Sequence, residues 1–483
     1  MSPEIEIASE DEAPATISVL TAETFSIPLG DGRYLVYAPL RRAAFVANGA
    51  LVGRLAEIAA GATPSDPEDS SLIELLQRLE MLGGEPEQLP ISTFSGVPEA
   101  TSITLFLTTA CNLRCTYCYA SAGDTPRKSM PLEVARCGID FVARNAARRG
   151  RPSFEVNYHG GGEPTSHWRV MTESLAHARS RASELGLEPP LASSATNGVL
   201  RDDQIDWIIA NLNGGVSVSF DGLPSAHDRH RLTVHGKGSS ERVMQTLRRF
   251  ADAGYPHGIR VTVTRDQIAQ LPASIDFICS HFSARRIQVE PAYQLGRWRE
   301  APSAETEEFI SAYRLARQKA ALHGRELFFS GARLGLLTNH FCGVSQDSFA
   351  LSPDGNVSAC YEAFSEDNPW AATFFYGSPD TDGAGYRFDL DVLAHLRGQA
   401  VEHRAFCRGC FAKWSCAGDC YHKALSVSGE REFQGTDRCH IIRELTKDQL
   451  LERIAEAGGL LWHEPPEPAA ATSAISKGKE VLL

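Results

Sequence analysis

The sequence lacks the features that would direct the protein to a membrane, to export or to a nucleic acid. No run of about eighteen apolar residues occurs, so no membrane-spanning helix and no membrane partner are predicted. The first residues, MSPEIEIASEDEAPA, are acidic and have no basic start, apolar stretch or small-residue cleavage site, which predicts a cytoplasmic location. No long basic cluster stands out, and 47 Lys and Arg against 60 Asp and Glu give a net charge of -13. This balance disfavours nucleic acid as the main partner and favours a peptide or a small molecule.

The chain is too long for one compact core, since its 483 residues exceed the usual size of a single domain. Apolar periodicity and the placement of Gly, Pro and Cys divide it into five regions. We predict a disordered acidic lead-in (1–20), a small α+β module (21–95), alternating strands and helices (96–335), a cysteine-rich region (336–445), and a C-terminal helix with a mobile tail (446–483).

The middle region alternates apolar strands with helical stretches such as 132–148 and 204–211. Six strand-then-helix repeats imply right-handed crossovers and a parallel sheet that curls into an open, partial (β/α)6 barrel, similar to part of a TIM barrel. The active face of such a barrel is formed by the carboxyl ends of its strands. The predicted strands are 103–108, 154–158, 191–195, 216–220, 259–264 and 287–290.

Disulfides are not expected, although the chain has twelve cysteines. The cytosol keeps thiols reduced, and clustered cysteines there usually bind metal. Cys137 and Cys279 stand alone in apolar helical stretches, which is typical of small buried side chains. The other ten fall into two groups, one of three and one of seven.

The first group, Cys111, Cys115 and Cys118 in LFLTTACNLRCTYCYA, directly follows the first barrel strand. Three thiolates on one loop can bind a 4Fe-4S cluster and leave one iron without a protein ligand, which allows that iron to bind a substrate or cofactor. A zinc knuckle is the structural alternative, but it needs four ligands and no fourth Cys or His lies near the triplet. The missing fourth cysteine also disfavours a protein that merely carries electrons.

With Tyr117 before its third cysteine, this motif resembles the signature of the radical S-adenosylmethionine (SAM) superfamily, over about residues 100–300. The resemblance implies that SAM chelates the open iron through its amino and carboxylate groups. One electron from the cluster then breaks a sulfonium C–S bond, and the resulting 5'-deoxyadenosyl radical removes hydrogen from an unactivated carbon.

Further motifs resemble the same family at the ends of later strands. GGEP after the second strand resembles the motif that receives the SAM amino group, because glycines let the backbone approach and a carboxylate meets an ammonium. SSATNGVL and SVSFDGLPSAHDRHR also resemble family segments. The alternative is that Ser219 and Asp221 only cap a turn and that Asp228 pairs with Arg231. By resemblance, the cofactor-binding residues are Tyr117, Gly161, Gly162, Glu163, Thr196, Asn197, Ser219 and Arg231.

The second group has the spacing C-x12-G-x4-C, a gap, C-x2-C-x5-C-x3-C, a gap, and C. It resembles the SPASM domain that radical SAM enzymes acting on peptides append to the barrel. The resemblance implies two auxiliary 4Fe-4S clusters, for three in total. No extra cysteine precedes Cys342, so the second auxiliary cluster has either an open iron or a ligand such as His340. A zinc ribbon of Cys407, Cys410, Cys416 and Cys420 is the structural alternative. One auxiliary cluster is assigned to Cys407, Cys410, Cys416 and Cys439, and the other to Cys342, Cys360 and Cys420.

The N-terminal module, strands followed by two helices, resembles the winged-helix, PqqD-like domain fused to many maturases of ribosomally made peptides. Such a domain would bind the leader segment of a precursor peptide, which would pair as an added strand with an exposed edge of the sheet. The alternative is an unrelated stabilising cap.

These resemblances together favour a radical SAM peptide maturase that installs a cross-link or similar change on a precursor peptide. The implied partners are a precursor with a leader and an electron donor of the flavodoxin or ferredoxin type. Glu290 and Asp221 are the predicted catalytic residues, Glu290 as a base, although a strand-end carboxylate is as often structural. A formylglycine maturase of the sulfatase type and a radical SAM enzyme acting on a small metabolite are the alternatives.

Overall fold

The computed structural model describes residues 15–19, 22–61, 67–124, 126–298, 305–380, 385–429 and 433–461. Within these residues, no helix combines the length and the hydrophobicity needed to cross a bilayer. The strands form two sheets, one of five strands and one of eleven.

The N-terminal module is an antiparallel meander followed by two helices. Hydrophobic side chains on the inner faces of its strands and helices form a small core of their own. Asn48 caps the first helix, because its side chain accepts a hydrogen bond from the Leu51 amide at 2.8 Å. The elements are β1 (Ala15–Val19), β2 (Ala22–Gly30), β3 (Arg33–Ala38), β4 (Ala43–Asn48), α1 (Gly49–Ala59) and α2 (Pro67–Arg78).

The middle region is an open barrel of parallel strands whose helices cover the outside. All six predicted strands are confirmed, and a seventh, β11, follows the helix after the last of them. Each strand pairs in parallel with the next along the chain, so all of the carboxyl ends lie at one edge. The strands are β5 (Ser102–Phe106), β6 (Glu155–His159), β7 (Leu191–Thr196), β8 (Val216–Ser219), β9 (His257–Val263), β10 (Arg286–Pro291) and β11 (Glu326–Phe328). The helices are α3 (Leu132–Arg148), α4 (Trp168–Glu184), α5 (Asp202–Asn211), α6 (Pro224–His230), α7 (Ser240–Asp252), α8 (Leu271–His281) and α9 (Thr306–Leu322).

The cysteine-rich region continues the barrel sheet beyond β5 and does not form a sheet of its own. Its first strand pairs in parallel with β5, and the next three add to it antiparallel. The strands of this region are β12 (Ala350–Leu351), β13 (Val357–Ser358), β14 (Phe375–Pro379) and β15 (Tyr386–Phe388). The last described strand, β16 (Leu460–Leu461), belongs to the five-stranded sheet. The helices are α10 (Ala371–Phe374), α11 (Leu390–Arg397), α12 (Lys413–Cys416), α13 (Tyr421–Ser428) and α14 (Asp437–Glu456).

Two predicted boundaries are corrected by these elements. The lead-in predicted for residues 1–20 contains β1, because Ala15–Val19 pair with β2. The predicted border at residue 445 lies inside α14, and the chain then returns to the N-terminal module, where β16 pairs with β4. Residues 1–14 of the lead-in and the tail beyond residue 461 lie outside the described residues.

Candidate active site

The loop after β5 carries Cys111, Cys115 and Cys118 at the carboxyl edge of the barrel. It is closed at its base by an isolated bridge between Thr108 and Ser129. On the opposite side the backbone amide of Thr116 donates to the His230 carbonyl at 2.9 Å. The loop is therefore held both at its base and near its centre by backbone contacts.

The environment of Cys111 and Cys115 disfavours ionisation of their thiols. Burial raises the pKa of Cys111 to about 12, and the negative charge of Glu163 adds to this effect. Burial likewise raises the pKa of Cys115 to about 11, against the opposing charge of Arg231. Two donors point at the Cys111 sulfur: the Leu113 amide at 3.4 Å and the Asn197 side-chain amide at 3.6 Å. Binding of iron would therefore have to displace protons from these thiols.

Two arginines hold the backbone of this loop. The Arg114 guanidinium donates to the carbonyls of Cys111 and Leu113 at 2.9 and 2.8 Å. The Arg297 guanidinium donates to the Cys115 carbonyl at 3.1 Å and to Asp124 at 2.7 Å. Both bring positive charge to a loop that would surround an anionic cluster.

Gly161 and Gly162 pack where no side chain fits. A Cβ on Gly162 would lie 2.2 Å from the Ala110 carbonyl oxygen, which belongs to the cysteine loop. A Cβ on Gly161 would lie 2.1 Å from the ring of Phe364, which belongs to the cysteine-rich region. The two glycines let the turn after β6 fit between these two segments.

Glu163 is a buried carboxylate whose hydrogen bonds all come from neutral donors. Thr165 donates through its amide at 3.2 Å and its hydroxyl at 2.8 Å, Thr196 donates through its hydroxyl at 3.0 Å, and the Asn197 amide donates at 2.8 Å. No Arg, Lys or His of the described chain forms an ion pair with it. Burial raises the pKa of Glu163, and these hydrogen bonds only partly oppose that effect. A cation placed here would favour the ionised form of Glu163.

Thr196 and Asn197, at the end of β7, are joined to the cysteine loop and to Glu163. Besides the contacts above, the Asn197 side chain donates to the Asn112 side-chain oxygen at 2.7 Å. The two residues therefore position the carboxylate and Cys111. Ser219 ends β8, half-buried, and no hydrogen bond of its side chain is seen in the described part of the chain.

Asp221 and Arg231 form a buried ion pair, and Tyr117 contacts both of them. The Arg231 Nε donates to Asp221 at 2.9 Å, the Tyr117 hydroxyl donates to the same carboxylate, and the guanidinium lies over the Tyr117 ring at 5.2 Å. Burial acts to raise the pKa of Asp221, but the charges of Arg231 and His227 lower it below its usual value. The alternative pairing of Arg231 with Asp228 is wrong, because Asp228 instead accepts from the amides of Ser239 and Ser240 at 2.7 Å.

A model of the radical SAM superfamily matches residues 105–278, which contain the cysteine loop, the GGEP turn and the Asp221–Arg231 pair. This stretch of the chain is a radical SAM domain. The match runs from the end of β5 into α8 and so covers most of the open barrel.

Three comparisons extend the radical SAM match beyond that domain. The chain is 27% identical over 279 residues to the mycofactocin maturase MftC of Mycolicibacterium smegmatis, covering 55% of this chain and 65% of that protein. It is 24% identical over 293 residues to the sporulation killing factor maturation protein SkfB of Bacillus subtilis, covering 59% and 63%. In each case the match spans slightly less than two thirds of the relative's length. The structure of anSMEcpe with bound AdoMet has the same fold, with a TM-score of 0.58 at 17% identity, over 74% of this chain and 96% of that one.

The residues around the cysteine loop are compatible with the charged groups of SAM. The buried carboxylate of Glu163 has no cationic partner in the described chain, which fits the SAM ammonium. The two terminal nitrogens of Arg231 form no hydrogen bond to the described residues, which fits the SAM carboxylate. Three cysteines beside them can bind a cluster with one open iron. Among the described residues, no three His, Cys, Asp or Glu side chains are placed to hold a single metal ion.

Glu290, predicted as a base, lies in an ion pair at the end of β10 of the radical SAM barrel. The fully buried Arg438 donates to it at 2.9 Å, and the Ser330 amide donates at 2.9 Å. Burial acts to raise the pKa of Glu290, but Arg438, Lys423 and Arg260 lower it to about 2. A carboxylate with this pKa is a weak proton acceptor, so the geometry favours a structural role.

Four cysteines of the second group lie together. The Cys410 amide donates to the Cys407 carbonyl at 3.1 Å, and the Cys416 amide donates to Ala412 at 2.8 Å, so tight turns gather the C-x2-C-x5-C segment. Burial raises the pKa of Cys416 well above its usual value. The next largest cause is the charge of Asp419, and the charges of Cys439, Cys410 and Cys407 raise the pKa further. This is the set assigned to one auxiliary cluster from the sequence.

The other three cysteines of the group, Cys342, Cys360 and Cys420, also lie together. Burial raises the pKa of Cys360 well above its usual value. The charges of Glu362, Cys420 and Cys342 raise it further, with Glu362 contributing most. His340 is not available to them, because its ring nitrogens contact the Ser345 hydroxyl at 2.8 Å and the Ser92 carbonyl at 2.7 Å.

Two arginines that sequence reasoning missed, the half-buried Arg333 and the fully buried Arg438, connect the cysteine groups to the barrel. Arg333 donates to the Cys416 carbonyl at 3.0 Å and to the Phe341 carbonyl at 2.8 Å, beside Cys342. Arg438 joins Asp419, at 2.7 Å, to Glu290 on the barrel. Arg438 precedes Cys439 and Asp419 precedes Cys420, and these adjacencies are the only signal that could have identified them.

Proposed function

We propose that this protein is a radical SAM peptide maturase that forms a 5'-deoxyadenosyl radical, abstracts hydrogen from a ribosomally made precursor peptide and installs a cross-link or similar modification. The observation that carries the proposal is the buried Glu163 carboxylate beside a three-cysteine loop. It has four neutral donors and no cation, so it fits the amino group of SAM. A peptide substrate is supported by the relatives, since MftC and SkfB are both named for maturation.

Different residues of the site would bind the cluster, the SAM ammonium and the SAM carboxylate. SAM bound at a reduced cluster supplies the radical that abstracts hydrogen. Cys111, Cys115 and Cys118 would hold the cluster, and Glu163 would bind the ammonium. Arg231, oriented by Asp221 through its Nε, would bind the carboxylate with its remaining nitrogens.

The cysteine-rich region would be a SPASM domain with two auxiliary 4Fe-4S clusters. Support comes from the grouping of its seven cysteines into a set of four and a set of three. Arginines beside each set would balance the charge of the clusters. Such clusters give electrons a route from a substrate radical to an external flavodoxin or ferredoxin.

The N-terminal module would bind the leader of the precursor by adding a strand to its sheet. The sheet order is β1-β2-β3-β4-β16, so β16 covers the β4 side and β1 forms the other edge. An extended leader segment can pair with that edge, which leaves the core peptide free to reach the barrel.

The test uses the full chain, reconstituted anaerobically and supplied with reductant, SAM and the precursor peptide encoded nearest to its gene. We expect 5'-deoxyadenosine and a peptide that has lost hydrogen, both seen by mass spectrometry. A variant with Cys111, Cys115 and Cys118 all changed to Ala is the control and should give neither product. Formylglycine on the peptide would instead support a sulfatase-type maturase.

The leader proposal is tested separately by supplying the leader as a free peptide. We expect it to inhibit modification of the full precursor competitively, and a core peptide without leader to be modified at least about tenfold more slowly. Equal rates with and without the leader would contradict a leader-binding role.

A further inference from the structure

Glu362 places a carboxylate among the three cysteines Cys342, Cys360 and Cys420. It follows Cys360 by two residues, where β13 has ended. Its carboxylate interacts electrostatically with each of the three cysteines. One side chain therefore lies close to all three thiols.

One oxygen of this carboxylate is buried without a hydrogen bond. The Glu362 Oε2 has no hydrogen-bond partner in the described chain, although the His422 Nδ1 lies 3.2 Å away. That nitrogen also contacts the Cys360 sulfur at 3.4 Å. One ring nitrogen carries at most one proton, so the His422 Nδ1 cannot donate to both of these acceptors at once.

A buried carboxylate oxygen without a donor costs free energy, because it has lost its hydrogen bonds to water. A metal ion would remove this cost, because carboxylates are common metal ligands. The other ligand considered from the sequence, His340, already uses both ring nitrogens. Each iron of a cubic cluster needs only one protein ligand, so the fourth group has to lie at one corner of the set and not at its centre.

We propose that Glu362, through Oε2, is the fourth protein ligand of the cluster held by Cys342, Cys360 and Cys420. The proposal rests on the auxiliary clusters of the proposed function. His422 then donates its Nδ1 proton to either the ligating carboxylate or the Cys360 sulfur, as residues around metal ligands commonly do. This auxiliary cluster is closed in the resting protein and has no iron free for a substrate side chain.

The experiment uses the full chain with Cys111, Cys115 and Cys118 changed to Ala. These changes remove the SAM-binding cluster, whose open iron would also bind the probe. In this background we compare the native Glu362 with the Glu362→Gln and Glu362→Cys variants. The probe is 13C-labelled cyanide, which binds an iron without a protein ligand, and the readout is its hyperfine coupling in the EPR signal of the reduced clusters.

We expect no cyanide coupling with the native Glu362, clear coupling with Glu362→Gln, and none with Glu362→Cys, because a thiolate again fills the position. Loss of about half of the iron in Glu362→Gln, with full recovery in Glu362→Cys, would also support the proposal. The control variant is Glu366→Gln, four residues away, whose exposed carboxylate accepts from Asn356 at 2.6 Å. It should behave like the native residue.

Two results would overturn the ligand assignment. One is cyanide coupling of equal strength with the native Glu362 and with Glu362→Gln, and the other is no coupling in either. Failure of the auxiliary clusters themselves has a different signature, because the background protein should hold about eight irons per chain for two such clusters. A protein with almost no iron would contradict the proposed SPASM region, whatever residue 362 is.

Discussion

At the scale of single residues, the site depends on carboxylates whose environments differ. Glu163 is buried among neutral donors, and burial raises its pKa. Asp221 and Glu290 are equally buried, but each faces an arginine that keeps it ionised. Only the first of the three is left ready to receive a cation.

Changing Glu163 to Gln should weaken SAM binding about 10- to 100-fold, because a charge-assisted hydrogen bond of about 1.5–3 kcal/mol becomes a neutral one. The SAM dissociation constant is measured by equilibrium dialysis under anaerobic conditions, together with the iron content, which should not change. Glu184→Gln, at the exposed end of α4, is the control and should bind SAM normally. Unchanged affinity in Glu163→Gln would rule out this contact.

Changing Glu290 to Gln should lower the stability of the fold by about 3 kcal/mol, because it removes one partner of the buried Arg438. The folded pKa lies below the usual 4.5, at about 2, so the pair stabilises the protein above pH 4.5 and its contribution is lost as pH falls through about 2. Thermal unfolding at neutral pH measures the loss. Glu326→Gln, which breaks an exposed ion pair with Arg286, should have little effect. Normal stability with a greatly reduced kcat in Glu290→Gln would instead support the base predicted from the sequence.

The sequence was sufficient for residues whose chemistry depends on local spacing. The cysteine loop and the GGEP turn are examples, since their groups lie within a few residues of one another. It was not sufficient for ion pairs between distant segments: Arg438 and Glu290 are 148 residues apart. A carboxylate at a strand end has the same pattern whether it accepts a proton or pairs with such an arginine, so its role could not be predicted.

At the scale of elements, the barrel strands were predictable because each is an apolar run followed by a helix. The strand β16 was not, because it has two residues and pairs with β4, more than 400 positions earlier in the chain. The continuation of the barrel sheet by β12–β15 was missed for the same reason, since short strands have little periodicity.

The GGEP turn packs against the cysteine-rich region, and Gly161→Ala should disturb this packing. The new methyl group would overlap the Phe364 ring, so we expect lower SAM affinity and a lower unfolding temperature. The double variant Gly161→Ala with Phe364→Ala removes the overlap and should recover most of the SAM affinity. If the single variant binds SAM normally, the turn and the ring are not as close as described.

The N-terminal module is attached to the segment between Cys410 and Cys416. Glu23, on β2, accepts from the Trp414 indole at 2.8 Å and pairs with Lys413. Changing Glu23 to Ala should loosen the module by about 1–3 kcal/mol, because a half-buried charged hydrogen bond is lost. We expect faster limited proteolysis in residues 84–101. Glu57→Ala, which breaks an exposed pair with Arg54, is the control. Equal cleavage rates would show that the module is held by other contacts.

At the scale of the whole molecule, the chain forms one connected body and not a row of independent domains. The barrel sheet runs into the cysteine-rich region, and the last described strand returns to the N-terminal module. Removal of the module would therefore expose β16 and the Trp414 contact. Point variants are for this reason better tests of leader binding than deletion.

The most direct test of the central claim is the formation of 5'-deoxyadenosine from SAM by the anaerobic, reduced protein, measured together with its iron content. We predict that the native chain forms 5'-deoxyadenosine and that the variant without Cys111, Cys115 and Cys118 forms none while keeping about two thirds of its iron. A native protein that retains its iron and yields no 5'-deoxyadenosine would contradict the radical SAM chemistry proposed for this site.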